Sequence, residues 1–185
     1  MDFSACRNCL FQNKFYPTLK KFGKLHVCTY ICVVKLEQAI QSENFKSEVH
    51  KATLNVLYTA WWLKTQGAAI LKQHGITQEQ FNVLRILKGK HPESMCVRDI
   101  AGRMIEKNSN VPRIVVRLEL KKLVERNQSQ IDKRETVIHL TPLGIDLLER
   151  SRQAMDAYHE AEILLSYEEA QQLNALLEKI RLKEK

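Results

Sequence analysis

The stretch NSNVPRIVVRLELKK at residues 108–122 contains the clearest indication of the fold in this 185-residue chain. Its aliphatic residues recur at the spacing of one helix face, and Pro112 lies near the start of the pattern. Proline is tolerated only in the first turn of a helix, where the backbone N–H groups have no intrahelical partner. Pro112 therefore predicts that the helix starts at Ser109 or Asn110, either of which is a favourable N-cap.

The two faces of this predicted helix differ in chemistry. Polar residues lie in its N-terminal half, where free backbone amides carry partial positive charge and suit a phosphate group. Neither arginine has an acidic residue four positions further on, so the basic row lacks the pairing usual on a solvated helix face. One face is apolar and the other polar: the first comprises Val111, Ile114, Val115 and Leu118, and the second comprises Asn110, Arg113, Arg117 and Lys121.

Three helices are predicted before this stretch. A long helix runs over residues 47–74 and ends at Gly75, which suits a left-handed C-terminal position. Thr77 and Gln80 have the spacing of a capping box, which predicts a second helix that ends near Gly89. A short helix follows over residues 97–107. Its predicted inward side chains are Ile100, Ala101, Met104 and Ile105.

The residues after the stretch predict a β-ribbon and two more helices. Val137 and Ile138 favour strand structure, and they follow a polar segment that is suited to the tip of a hairpin. Thr141 and Pro142 are a favourable N-cap and first helical residue for a helix that runs to about Ile163. Ser166 opens a last helix with a capping box. The apolar stripe of that helix comprises Leu173, Leu176, Leu177 and Ile180.

A short helix, a brief turn and a second helix make a helix-turn-helix, and the β-ribbon makes it winged. In such a unit the second helix enters the major groove of DNA by its N-terminal half. Asn and Arg side chains can pair with adenine and guanine edges. The ribbon tip is suited to contact the DNA backbone or minor groove through Asp132, Lys133 and Arg134. The features predict double-stranded DNA as the partner.

The distribution of charge supports this prediction only in part. The chain has a formal net charge of +8. Residues 36–141 hold 17 basic and 11 acidic side chains, whereas residues 142–185 hold six and nine. No apolar run approaches the roughly 20 residues that a membrane span needs, so we expect a cytoplasmic protein. No nucleophile–base set, phosphate loop or metalloprotease motif is visible, so we expect neither an enzyme nor a cofactor.

Two smaller sets of residues leave alternatives open. Cys6, Cys9, Cys28 and Cys32 have a spacing close to that of a four-thiolate zinc site, but they also suit a poorly ordered leader. Tyr58, Trp61 and Trp62 either line a crevice for a small-molecule effector or pack as ordinary apolar residues. The lone Cys96 fits a small buried apolar residue better than a redox sensor.

Residues 47–183 resemble the MarR family of bacterial winged-helix regulators. The segments that carry the resemblance are ITQEQFNVLRIL, RDIAGRMIEKNSNVPRIVVRLELKKLVER and IDKRETVIHLTPLG, and the most specific part extends from Asp132 to Gly144. The resemblance implies a homodimer formed by the N- and C-terminal helices, two winged lobes on a pseudo-palindromic operator, and repression that a ligand or oxidation relieves. Lys122 departs from the family, which commonly has glycine after this helix, so either Lys122 takes a strained left-handed conformation or the helix ends differently.

The resemblance also implies roles for individual residues. The second helix of the motif would contact DNA through residues at its N-terminal half, Arg134 would be the cation at the wing tip, and Asp132 would brace the wing. The implied contacts on the helix are Ser109, Asn110, Pro112, Arg113 and Arg117.

The predicted fold is mainly α, a winged helix-turn-helix with N- and C-terminal dimerisation helices. Apolar stripes on the first and last helices support the homodimer, because one chain of this topology cannot bury both. The alternative functions are a winged helix that binds another protein and a zinc-containing regulator. The predicted segments are a basic leader at 1–35, a dimerisation helix within 36–76, the winged unit at 77–144 and dimerisation helices at 145–185.

Overall fold

The computed structural model describes residues 34–129 and 135–183. The chain divides into two compact units, Met1–Glu43 and Asn44–Lys185. The described part of the first unit contains one short helix, α1 (Leu36–Ile40), which the sequence pattern did not predict. The second unit contains the other described elements in the order α2 (Glu48–Gln73), α3 (Gln78–Lys88), β1 (Met95–Cys96), α4 (Val97–Arg103), α5 (Val111–Leu120), β2 (Val124–Gln128), β3 (Thr136–Leu140), α6 (Pro142–Glu162) and α7 (Tyr167–Ile180).

The capping residues set the helix boundaries where the sequence predicted them. The Ser47 side chain accepts a hydrogen bond from the backbone of His50 at the start of α2, and Gly75 follows that helix with φ 70°. The capping box at the start of α3 has both of its hydrogen bonds. The same is true of the capping box at the start of α7. These local side-chain bonds satisfy backbone groups that a helix end leaves free, which explains why their residue types mark the boundaries.

The short helix α4 ends earlier than predicted. Met104 has ψ 139°, an extended conformation, so the helix stops at Arg103 rather than continuing to Lys107. Met104 still points inward and is 2% exposed, whereas Ile105 is 78% exposed. The predicted inward position of Ile105 is therefore wrong, because this residue belongs to the turn before α5 and no longer follows helical periodicity.

The three described strands form an antiparallel sheet in the order β1–β3–β2. Strands β2 and β3 make the predicted ribbon, with Val124 opposite Leu140 and Gln128 opposite Thr136. Strand β1 adds a third, unpredicted strand. It has only two residues, too few for an alternating pattern to be visible in the sequence.

The turn from α5 into β2 brings distant parts of the chain together. Lys122 has φ 59°, so of the two alternatives for this position the left-handed conformation is the one observed. Its carbonyl oxygen accepts a hydrogen bond of 2.8 Å from the Thr141 hydroxyl, which also caps α6. Gly144 lies so near this turn that a Cβ atom on it would overlap the carbonyl oxygen of Leu123. Glycine is therefore required at position 144, because the backbone of Leu123 approaches it closely.

The hydrophobic core lies mainly in the winged unit and extends to Leu71 of α2 and Leu148 of α6. Helix α3 is its centre, because its buried face contacts α4, α5, α6 and strand β3. The core continues through the ribbon and the first half of α6, and it makes the winged unit one packed body. Its most buried side chains include Leu71, Leu84, Leu87, Ile100, Met104, Leu118 and Ile138. Among the described helices none combines the length and the apolar run that crossing a bilayer requires.

Candidate nucleic-acid interface

The packing of α5 determines which of its faces is available to a partner. Val111, Val115 and Leu118 are buried in the core, and the helix packs on α3, α4 and β2. The helix therefore cannot rotate about its axis without exposing its apolar face to water, which costs about 1.5–3 kcal/mol for each large aliphatic side chain. Its opposite face is consequently held outward in a single orientation.

The outward face of α5 carries the two arginines that the sequence singled out. Arg113 and Arg117 are both exposed, and they lie one helical turn apart on the same side. Within residues 34–129 and 135–183 neither guanidinium has an acidic partner. Both side chains are thus free to form bidentate hydrogen bonds with guanine edges or phosphate oxygens. Pro112, beside them, is also exposed and lies in the first turn of the helix.

Asn110 and Ser109 lie at the start of α5 and differ in their hydrogen bonding. The Asn110 side-chain oxygen accepts a hydrogen bond of 3.2 Å from the backbone N–H of Arg113, so Asn110 is the N-cap. Its amide NH₂ group and the second lone pair of its oxygen stay available to a base. The Ser109 hydroxyl is buried and has no hydrogen-bond partner in the described structure. A DNA contact by Ser109 stays a prediction, and it requires that this hydroxyl turn outward.

Lys121 differs from the two arginines because its charged group has partners within the chain. Helix α5 ends at Leu120, and the Lys121 ammonium group donates hydrogen bonds to the carbonyl oxygen of Gly75 at 2.5 Å and to Gln80 at 3.1 Å. Of the three cations predicted on this face, the third is therefore not free. Lys121 instead joins the end of α5 to the α2–α3 turn, where a cation interacts favourably with the end of α2.

The β-ribbon is attached to α5 by an ion pair that the sequence reasoning missed. Arg126 of β2 lies 2.6 Å from the carboxylate of Glu119. The pair holds the ribbon against the helix, and Arg126 also lines the groove between them together with Arg113. An acidic residue at the end of the helix and a basic residue early in the next strand were the available signals. Asp132, Lys133 and Arg134 lie outside the described residues.

The cleft between α3 and α5 has a mixed charge. Glu79 and Glu106 line it together with Arg113 and Arg117. A hydrogen bond with the Thr77 side chain is the main cause that holds the pKa of Glu79 below its ordinary value. Glu106 pairs with Lys64 of α2 at 2.5 Å, and this hydrogen bond raises the pKa of Lys64. The two carboxylates disfavour a phosphate in the cleft itself, while the two exposed arginines favour one on the outward face of α5.

Two helices present apolar surface that the described residues leave uncovered. Helix α7 has no buried residue, and Leu176 and Ile180 of its stripe are 60% and 64% exposed. In the first half of α2, Val49 and Leu57 are 77% and 62% exposed. These values are far above those of the core, and contiguous exposed apolar surface of this kind marks an interaction site.

The three aromatic residues that were predicted either to line an effector crevice or to pack as ordinary apolar residues differ in exposure. Tyr58 and Trp62 are half-buried, whereas Trp61 is 58% exposed and its ring centroid lies 5.5 Å from that of Tyr58. Their role in binding an effector stays a prediction. Cys96 is buried in strand β1, as expected of a small apolar residue. The four candidate zinc ligands Cys6, Cys9, Cys28 and Cys32 lie outside the described residues, and the described part contains no cluster suited to a metal ion.

The geometry defines a class of protein: a winged helix-turn-helix unit, with a basic helix face turned outward, joined to helices with uncovered apolar surface. The sequence model of the family described as "Transcriptional regulator SarA/Rot" matches residues 67–158. The homoprotocatechuate degradative operon repressor of Escherichia coli is 34% identical over 110 residues, which cover 59% of this chain and 73% of the repressor. The regulator MgrA of Staphylococcus aureus is 31% identical over 111 residues, which cover 60% of this chain and 74% of MgrA.

Solved structures show the same similarity. The complex of S. aureus MepR with DNA matches with a TM-score of 0.62 and 28% identity, over 75% of this chain and 97% of MepR. The MarR transcription factor from Planctomyces limnophilus matches with a TM-score of 0.57 and 27% identity, over 75% of this chain and 99% of that one. The chain belongs to the MarR family of winged-helix transcriptional regulators.

Proposed function

We propose that this protein is a cytoplasmic repressor that binds a pseudo-palindromic operator as a homodimer. The observation that carries the proposal is the outward face of α5, where Arg113 and Arg117 are exposed and lack acidic partners in the described structure. The opposite face of the same helix is buried. A helix fixed in this way presents its N-terminal half to the major groove as a rigid element, which reduces the entropy lost on binding.

The homodimer is supported by the uncovered apolar surface of α2 and α7. Two copies related by a twofold axis place identical patches against each other and double every contact made there. The same symmetry presents two copies of α5 to DNA, and an operator with two half-sites matches it. Repression is supported by the E. coli relative, which is itself named a repressor. No catalytic role is part of the proposal.

A small molecule that relieves repression is a further part of the proposal. A cavity of about 200 Å³ lies between α2, α3, α6 and the turn before α5. Ser109, whose hydroxyl lacks a partner, lines this cavity immediately before α5. The cavity is smaller than the roughly 300–1,000 Å³ of most ligand sites, so a ligand would have to widen it and displace the start of α5. Compounds that raise the melting temperature of the protein would be added to gel shifts with operator DNA. Release of the DNA would support this part of the proposal, and continued binding would contradict it.

The test of the DNA-binding face begins with the operator. Sites are captured from the genome of the native host with the full-length protein, and the best one is used in gel shifts. Arg113→Ala should weaken specific binding by about 10- to 100-fold, the value of one bidentate base contact. Arg113→Lys keeps the charge but not the bidentate geometry, so it should recover only non-specific binding.

Arg152→Ala is the matched control, because it removes the same charge from α6, where Arg152 pairs with Glu149 and Asp156. We expect its operator affinity to match that of the unmodified protein. Equal binding by Arg113→Ala and the unmodified protein would contradict the assignment of this face. A winged helix that binds a protein instead of DNA would show weak binding to all duplexes and no preference for one site over bulk DNA.

A further inference from the structure

The outward face of α5 contains an exposed apolar row beside the two arginines. Pro112, Val116 and Leu120 follow one another at four-residue spacing, so they lie along one line on the helix. Val116 is 40% exposed and Leu120 is 79% exposed. All three residues lie on the outward side of the helix and not on the side that Val111, Val115 and Leu118 bury in the core.

Val116 has a defined position within this face. It lines the groove between α5 and the β-ribbon, together with Pro112, Arg113 and Arg126. The lining of the groove therefore combines the apolar side chains of Val116 and Pro112 with the guanidinium groups of Arg113 and Arg126. A valine at an exposed helix position also has lower helix propensity than leucine, lysine or glutamine, so local helix stability does not account for it.

A base edge offers one apolar group that matches this surface. In the major groove only thymine presents a methyl group, and an apolar side chain that packs on it distinguishes thymine from the other bases. Val116 follows Arg113 by three residues, which is about 4.5 Å along the helix axis. That distance slightly exceeds the spacing of about 3.4 Å between base pairs, so the two side chains reach bases one or two pairs apart.

We propose that Val116, supported by Pro112, reads the C5-methyl group of a thymine next to the base that Arg113 contacts. The inference rests on the proposed DNA-binding function and adds a specificity determinant to it. Arg113 supplies a polar contact that also attracts phosphate, whereas Val116 supplies a contact that only thymine can make. Together they predict a half-site with a thymine within two base pairs of the guanine that Arg113 reads.

The test removes the thymine methyl group and nothing else. In the captured operator each thymine of one half-site is replaced in turn by deoxyuridine, which keeps every hydrogen-bonding group of the base. We expect one replacement to weaken binding of the full-length dimer about fourfold, the equivalent of one buried methylene-sized group. In Val116→Ala the same replacement should have no further effect, because the side chain that contacts the methyl group is already shortened.

Leu120→Ala is the matched control for an exposed apolar residue on the same row. Leu120 lies one turn beyond Val116, near the C-terminal end of the helix, so we expect the unmodified response to deoxyuridine in this variant. Melting temperatures of both variants should stay close to that of the unmodified protein, because neither side chain belongs to the core.

The outcomes separate this inference from the proposed function. Failure of the unmodified protein to prefer any operator over bulk DNA would contradict the proposed function itself. Specific binding that is insensitive to every deoxyuridine replacement would overturn the role of Val116 and leave the proposed function standing. The inference would also be overturned by a deoxyuridine effect that is equally large in Val116→Ala, because another residue would then contact the methyl group.

Discussion

Helices α5 and α7 have similar sequence patterns but differ in how much of their apolar face is buried in the folded chain. Both are amphipathic helices with a stripe of aliphatic residues. Helix α5 buries Val111, Val115 and Leu118, whereas α7 buries none of its residues. The difference shows that an apolar stripe predicts burial without saying where the covering surface comes from. For α5 it comes from the same chain, and for α7 we propose that it comes from a second copy.

Helices α5 and α7 also differ in function: we place DNA recognition on the first and dimerisation on the second. The buried face of α5 fixes an outward face of defined composition, and this outward face is where we place DNA recognition. The uncovered face of α7 has no such fixed counterpart within the described chain, so its stabilisation depends on association. In the proposed dimer the distance and angle between the two copies of α5 depend on how the two chains associate. Substitutions in the dimer interface, far from DNA, should therefore alter operator binding.

The largest effect is expected from charges placed on the stripe of α7. Leu173→Glu combined with Leu176→Glu puts two carboxylates into the proposed dimer interface, where burial without partners is strongly unfavourable. We expect a monomer in sedimentation equilibrium and a loss of operator affinity of about 100-fold or more, because the two half-sites are no longer bound by one particle. Ile105→Glu, which alters an exposed aliphatic residue before α5, should stay dimeric. A dimer in the double variant would show that a second copy does not cover the stripe of α7.

A smaller effect is expected from the buried side of α5. Leu118 is fully buried, so Leu118→Ala should lower the free energy of unfolding by about 2–5 kcal/mol through lost burial and the cavity left behind. Urea unfolding measures this loss. The dissociation constant of the dimer should stay unchanged in Leu118→Ala and should rise in Leu176→Ala. If both variants raised the dissociation constant equally, the contrast between the two helices would be wrong.

The smallest effect is expected at the turn that follows α5. Lys122 has φ 59°, a conformation that is unfavourable for any residue with a Cβ atom. Lys122→Gly should therefore raise the free energy of unfolding, by about 0.5–1 kcal/mol after the added flexibility of the unfolded chain is subtracted. Lys121→Gly is the control, since Lys121 has φ −85° and contacts Gly75, and it should destabilise the protein. A neutral or destabilising Lys122→Gly would show that the lysine side chain outweighs the backbone strain.

Several features of the site were predictable because they depend on neighbours in sequence. Pro112 and Asn110 located the start of α5, whereas the departure from glycine at Lys122 left two alternatives open, of which the structure contains the left-handed residue. Other features were not predictable. The end of α4 at Arg103 and the exposure of Ile105 follow from the extended conformation of Met104, whose side chain fills the core. Helical periodicity alone does not contain that information.

The sequence was sufficient to predict the helix starts, the ribbon, the basic face of α5 and the resemblance to a family of regulators. These follow from local hydrogen bonding at caps, from side-chain periodicity and from short motifs, all of which act within a few residues. The sequence pattern did not show which charged side chains have partners, because this depends on how the elements pack. Lys121 donates a hydrogen bond to the carbonyl oxygen of Gly75, and Arg126 forms an ion pair with Glu119. Arg113 and Arg117 have no acidic partner in the described chain. The first pairing joins residues 46 positions apart, and the second joins a helix to the following strand. Their energies depend on distances that only the folded chain sets.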